Sequence, residues 1–145
     1  MTRRHWFNVV LSALMAPRSP GGTREGEFVV IVHRSNRFDA LSRSRLSFLF
    51  LRKVSRWPWG AEVEPIDLPS HWAARREFTR QVLRTTEEQL AEYWIDQRAT
   101  RGVISPARVL NAAAAKALVA ARPGAIAYIP ADQIDNTIKV IKVDP

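Results

Sequence analysis

The sequence predicts a single α/β domain built as a three-layer sandwich, and three observations carry that expectation. Phe28-Val29-Val30-Ile31-Val32 is a continuous β-branched run, the mark of a strand covered on both faces rather than one. Stretches with helical spacing lie between it and later strand-like segments. At 145 residues, 46% of them hydrophobic, the chain can enclose one substantial core but hardly two.

The first strand is bounded by Gly26 and by the polar stretch His33 to Asn36. Ser42 is positioned to cap a short helix that places Leu46, Leu49 and Phe50 on one face. Trp57-Pro58-Trp59-Gly60 stops that helix in a rigid turn, and a second strand is expected at about Val63 to Leu68. Three helical stretches follow. Ser70 is the expected cap of the first, whose Ala74, Phe78 and Val82 recur at four-residue spacing. Thr85 with Glu88, or Thr86 with Gln89, offers a capping box to the second, which carries Leu90, Tyr93 and Trp94. Ser105-Pro106 reads as the start of the third, an alanine-rich helix over 107–121 smooth enough to lie directly on a sheet. Pro123-Gly124 ends it, and strands are expected over Ala125 to Ile129 and Ile138 to Val143.

Residues 1–16 open with Arg3 and Arg4, continue through a short apolar stretch and reach the small residue Ala16, the order of a secretory signal peptide. Residues 17–26, rich in proline and glycine, then read as a flexible leader into a folded part at 27–145, so a periplasmic or secreted location is expected. No apolar run reaches the roughly 18 residues of a bilayer span, and none is expected in the mature chain. Cysteine is absent, which removes disulfides and thiolate metal sites.

The net charge is +8, and Arg34, Arg37, Arg43, Arg45, Arg52, Lys53 and Arg56 are opposed within their stretch only by Asp39. Such a field attracts anions of any size. A nucleic-acid partner is the competing class that this charge raises, but no helix-turn-helix, aromatic RNA-binding strand or zinc spacing accompanies it, and none is expected. An enzyme lacks its parts as well. His5, His33 and His71 are scattered, and neither a His-Glu-x-x-His nor a Gly-x-Ser-x-Gly string nor a Gly-rich phosphate loop is present, so no catalytic residue, metal or cofactor is assigned.

In order and spacing, these pieces resemble one lobe of the phosphate-binding component of phosphate ABC transporters, a family of type II periplasmic binding proteins. The residues that carry the resemblance are Phe28-Val29-Val30-Ile31-Val32-His33-Arg34-Ser35-Asn36, the helix Leu41 to Lys53 with Trp57 after it, and Pro123-Gly124-Ala125-Ile126-Ala127-Tyr128-Ile129. The resemblance implies a phosphate- or sulfate-binding domain, an accessory component of anion uptake, paired with a protein partner or second lobe. The chain has room for one lobe only. A single lobe that has lost ligand binding and serves as an interaction or structural domain is the alternative.

The family holds phosphate in a Gly/Ser/Thr-rich turn at the start of the helix after the second strand. Here that stretch is Asp67 to Ala74, without glycine. A helix starting there still offers unpaired N–H groups and a dipole that favours an anion by about 0.3 to 1 kcal/mol. The candidate ligand set is therefore Ser70, His71 and Trp72 at the turn, with Arg75 or Arg76 supplying a guanidinium fork. His71 and Trp72 are also bulky enough to fill the space of an anion.

Overall fold

The computed structural model describes residues 24–145. The expected signal segment at 1–16 and all but the last three residues of the expected leader lie outside the described residues. The described part opens in a turn at Arg24–Glu27, with Gly26 at φ +84°.

Among the described residues, six strands form one sheet: β1 (Phe28–Val32), β2 (Ala40–Ser42), β3 (Glu64–Asp67), β4 (Ala107–Arg108), β5 (Ala125–Pro130) and β6 (Lys139–Asp144). Their spatial order is β2-β6-β1-β5-β3-β4. The central strand β1 is antiparallel to both neighbours, pairing Val30 with Tyr128 on one side and with Ile141 on the other. The remaining pairings are parallel. Among the described residues, four helices accompany the sheet: α1 (Arg43–Phe50), α2 (Ala73–Phe78, which continues as a π-helical turn over Thr79–Leu83), α3 (Glu87–Arg101) and α4 (Ala112–Ala121).

The central strands alternate between two cores, which gives the three layers. Val30, Val32, Ile126, Tyr128 and Ile141 face a core closed by Leu46, Leu49 and Phe50 of α1 and by Ala74, Phe78 and Val82 of α2 and its π turn. Rings of Phe78 and Tyr128 stack at 4.0 Å between centroids there, a contact worth about 0.5 to 1.5 kcal/mol beyond its buried area. Ile31, Ala125, Ala127 and Ile129 face the other way, onto Ala112, Ala115 and Val119 of α4. Alanines on both sides of that contact bring helix and strand close, as the alanine-rich stretch suggested.

Several expected local signals are present. Ser42 accepts from the Arg45 N–H as the cap of α1, and Thr86 and Gln89 form a reciprocal capping box at α3. Helix α3 ends on Gly102 at φ +67°, the left-handed conformation that glycine adopts without cost. The third helical stretch requires correction. It begins at Ala112 rather than after Pro106, because Ala107 and Arg108 stay extended to pair with Ile66 and Asp67 of β3. Asn111, not Ser105, is its cap, accepting from the Ala114 N–H at 2.9 Å. Strands β2 and β4 are short edge strands without an expected counterpart in the sequence.

Candidate functional site

Strand β3 delivers Asp67 to its carboxyl end, and Leu68 to Trp72 carry the chain into α2. Ser70 does not cap that helix, contrary to expectation. The Trp72 N–H donates to the Pro69 carbonyl at 3.1 Å, so residues 69–72 form a turn and helical geometry starts only at Ala73. Trp72 holds the cap position in an extended conformation without a side-chain cap bond, and its half-buried indole packs against both cores. Among the described residues, nothing accepts from the N–H groups of Ser70, His71 and Ala73. Ser70, His71 and Arg76 are exposed, and the Arg76 guanidinium donates to the His71 carbonyl at 2.8 Å, bracing the turn.

Arg75 does not join them. Its side chain is 5% exposed and turned inward, where Nη1 donates to the Leu68 carbonyl at 2.7 Å and lies 3.1 Å from the Asp67 carboxylate. Nε and Nη2 donate to the two oxygens of Glu87 at 3.0 and 3.1 Å. Its expected role as an anion-gripping arm is therefore corrected: the guanidinium ties β3 to the start of α3.

Around it the polar groups satisfy one another. The Tyr128 hydroxyl donates to Asp67, the Leu68 N–H donates to the same carboxylate at 3.0 Å, and Thr79 donates to Glu87 at 3.2 Å. Burial raises the pKa of Asp67 above the ordinary carboxylate value, against the opposing pull of Arg75 and of the hydrogen bonds from Tyr128 and Leu68. Burial, then the neighbouring Asp67 carboxylate, pushes the Tyr128 hydroxyl well above its usual range, so it stays protonated as a donor.

In chemical terms this is a self-satisfied ionic cluster lying beneath an exposed turn. The cluster provides rigidity, and the turn provides free donors. In the sequence, Asp67 and Tyr128 fall within two expected strands and Glu87 within the expected second helical stretch. The one signal for their association was a tyrosine inside an otherwise apolar strand, whose hydroxyl needs a buried partner. Since β3 pairs with β5 through Ile66 and Ala127, the next residues along, Asp67 and Tyr128, are placed to meet. Among the described residues, no group of three His, Cys, Asp or Glu could hold a metal ion. No helix there is long and apolar enough to cross a membrane.

No protein-family model matches the sequence. Nor does any curated protein. Solved structures do match. A phosphate ABC transporter substrate-binding protein of Clostridium perfringens, solved with bound phosphate, superposes with a TM-score of 0.66 at 18% identity over 80% of this chain and 44% of its own. An ABC-type phosphate transport receptor of Vibrio cholerae gives 0.64 at 15% identity, over 80% of this chain and 45% of its own. PstS of Borrelia burgdorferi gives 0.62 at 12% identity, over 80% and 46%. This chain thus spans less than half the length of the structures it matches, and its α/β architecture is the fold of one lobe of such phosphate-binding proteins.

Proposed function

We propose that this domain is a solute-binding lobe that holds a small inorganic anion, phosphate or sulfate, at the turn 69–73. The observation that carries the reading is a run of unclaimed donors there: among the described residues nothing accepts from the N–H groups of Ser70, His71 and Ala73, and the Ser70 and Arg76 side chains of the same stretch are exposed. The net charge of +8 draws anions toward it. Arg75 serves this site by fixing its floor rather than by touching ligand. The matched structures that are named for phosphate transport lend the same reading their ligand class and suggest an accessory place in ABC-type uptake. Clamp-type sites draw affinity from burial between two lobes, so a lobe acting alone binds weakly, and a second lobe or protein partner belongs to the proposal.

Calorimetric titration with phosphate and sulfate tests it. Millimolar-range binding is expected, weakened by salt. Ser70→Ala and Arg76→Ala are each expected to reduce it by about three- to tenfold, the effect of one lost hydrogen bond. A second reading, an interaction domain without ligand, is favoured by the inward-turned Arg75 and by the half-buried Trp72 in a turn that lacks glycine. Absence of heat with both anions at millimolar concentration decides for that reading.

A further inference from the structure

The Phe38 loop, helix α1 and the segment Val54–Pro58 enclose a cleft of about 510 Å³ that shares no lining residue with the turn 69–73. Its walls are aromatic. Trp57 is buried and fixed, its indole N–H donating to the Gly124 carbonyl at 3.0 Å. Phe38 lies 5.9 Å from the Trp57 ring, and Trp57 in turn stacks on Trp59 at 5.4 Å. Phe48 is 44% exposed on the same helix that buries Leu46, Leu49 and Phe50.

The polar lining has one sign. Arg45 and Arg56 both line the cleft, and no acid does. Arg45 holds its guanidinium 5.4 Å from the centre of the Phe38 ring, and Arg56 donates to the Gly60 carbonyl at 2.9 Å. Neither forms an ion pair among the described residues, and residues 1–23 contain no Asp or Glu that could supply one. Asp39, the lone acid between residues 34 and 56, is taken by Lys139 at 2.9 Å. Ser44 adds a hydroxyl at the rim.

We propose that this cleft binds an aromatic carboxylate, with its ring against Phe38, Phe48 and Trp57 and its carboxylate on Arg45 and Arg56. Sites for small molecules are concave, mostly apolar and supplied with a few oriented polar groups, in cavities of about 300 to 1,000 Å³. The guanidinium fork matches a carboxylate in two-pronged geometry, and two unpaired cations beside an aromatic wall favour an anionic arene over a neutral one. Arg45 is already placed on an aromatic face, so little side-chain ordering remains to be done on binding.

The test uses 1-naphthoate and its neutral counterpart 1-naphthalenemethanol, titrated into the full chain and followed by calorimetry and by amide and indole NMR shifts. Naphthoate is expected to bind about tenfold or more tightly than the alcohol, with shifts concentrated at residues 38–58 and at the Trp57 indole. Arg45→Gln and Arg56→Gln, both at exposed side chains, are each expected to weaken naphthoate about threefold or more while leaving the alcohol unchanged. Phe48→Ser weakens both probes. Equal affinity for the two probes, shifts elsewhere in the domain, or indifference of naphthoate to the double Arg45→Gln, Arg56→Gln variant overturns the proposal.

Discussion

Arg75 and Glu87 meet through two parallel hydrogen bonds, Nε to Oε1 at 3.0 Å and Nη2 to Oε2 at 3.1 Å, and this fork joins α2 to the first turn of α3. Removing the guanidinium with Arg75→Leu leaves the Asp67 carboxylate buried without its counter-charge, which costs about 3 to 5 kcal/mol in comparable pairs. Glu87→Gln acts on a half-exposed carboxylate and is expected to cost only about 1 kcal/mol. Urea denaturation of the two variants measures both, and a loss below about 1 kcal/mol in Arg75→Leu contradicts the structural role assigned to it.

Two carboxylates impose opposite pH dependences. Native Asp67 holds its proton to higher pH than the unfolded chain does, so between its unfolded and native pKa values the native state binds more protons and stability falls as pH rises. Its penalty is complete above the native pKa and disappears below the unfolded one. Asp135, hydrogen-bonded by Thr137 and by Lys116, is drawn down to about 2. It contributes stability that is present above the ordinary carboxylate value and is lost as pH falls toward 2. Denaturation between about pH 2 and pH 7 on Asp67→Asn and Asp135→Asn separates them. The first substitution is expected to remove the component that declines with rising pH, and the second the component lost in acid.

The exchange of helix caps gives a direct contrast between two small polar residues. Asn111→Ala removes the acceptor for the Ala114 N–H and is expected to cost about 1 kcal/mol. Ser70→Ala, in a turn whose closing bond is backbone to backbone, is expected to change stability by less than about 0.5 kcal/mol. Thermal or urea unfolding checks both. A large loss for Ser70→Ala restores Ser70 to a structural role.

Export is expected from the basic start and short apolar stretch of residues 1–16. Cell fractionation with intact-mass measurement tests this. The expected product lacks the first residues and is found outside the cytoplasm, whereas a cytoplasmic product of full mass retaining Met1 contradicts it.

The long strands and the buried helix faces were legible because burial imposes periodicity on many residues at once. Val30 to Val32 and Ala125 to Ile129 had to be covered on both faces, and Ala74, Phe78 and Val82 had to share one. Ala107 and Arg108 were not legible as a strand. Both are exposed, two residues carry no period, and pairing with β3 decides their conformation. The same limit applied at the candidate site. Ser70 followed by a helical stretch is a good cap signal, but the turn closed by Pro69 and the packing of Trp72 shifted the start by two residues. Arg75 read as a candidate anion ligand because its actual partners Asp67 and Glu87 lie eight residues before it and twelve after, off any one helix face.

The position of β6 beside β1 bears on how the domain is made. Residues 139–144 lie between β2 and β1, so a strand that follows both of its neighbours in the chain enters the interior of the sheet rather than its rim. Until those residues leave the ribosome, β1 lacks one neighbour and β2 has none among the described residues, and the apolar surface of Val30 and Leu41 waits for Ile141 and Val143. A nascent chain stalled before residue 139 therefore presents an open strand edge to any chaperone or second chain that reaches it first.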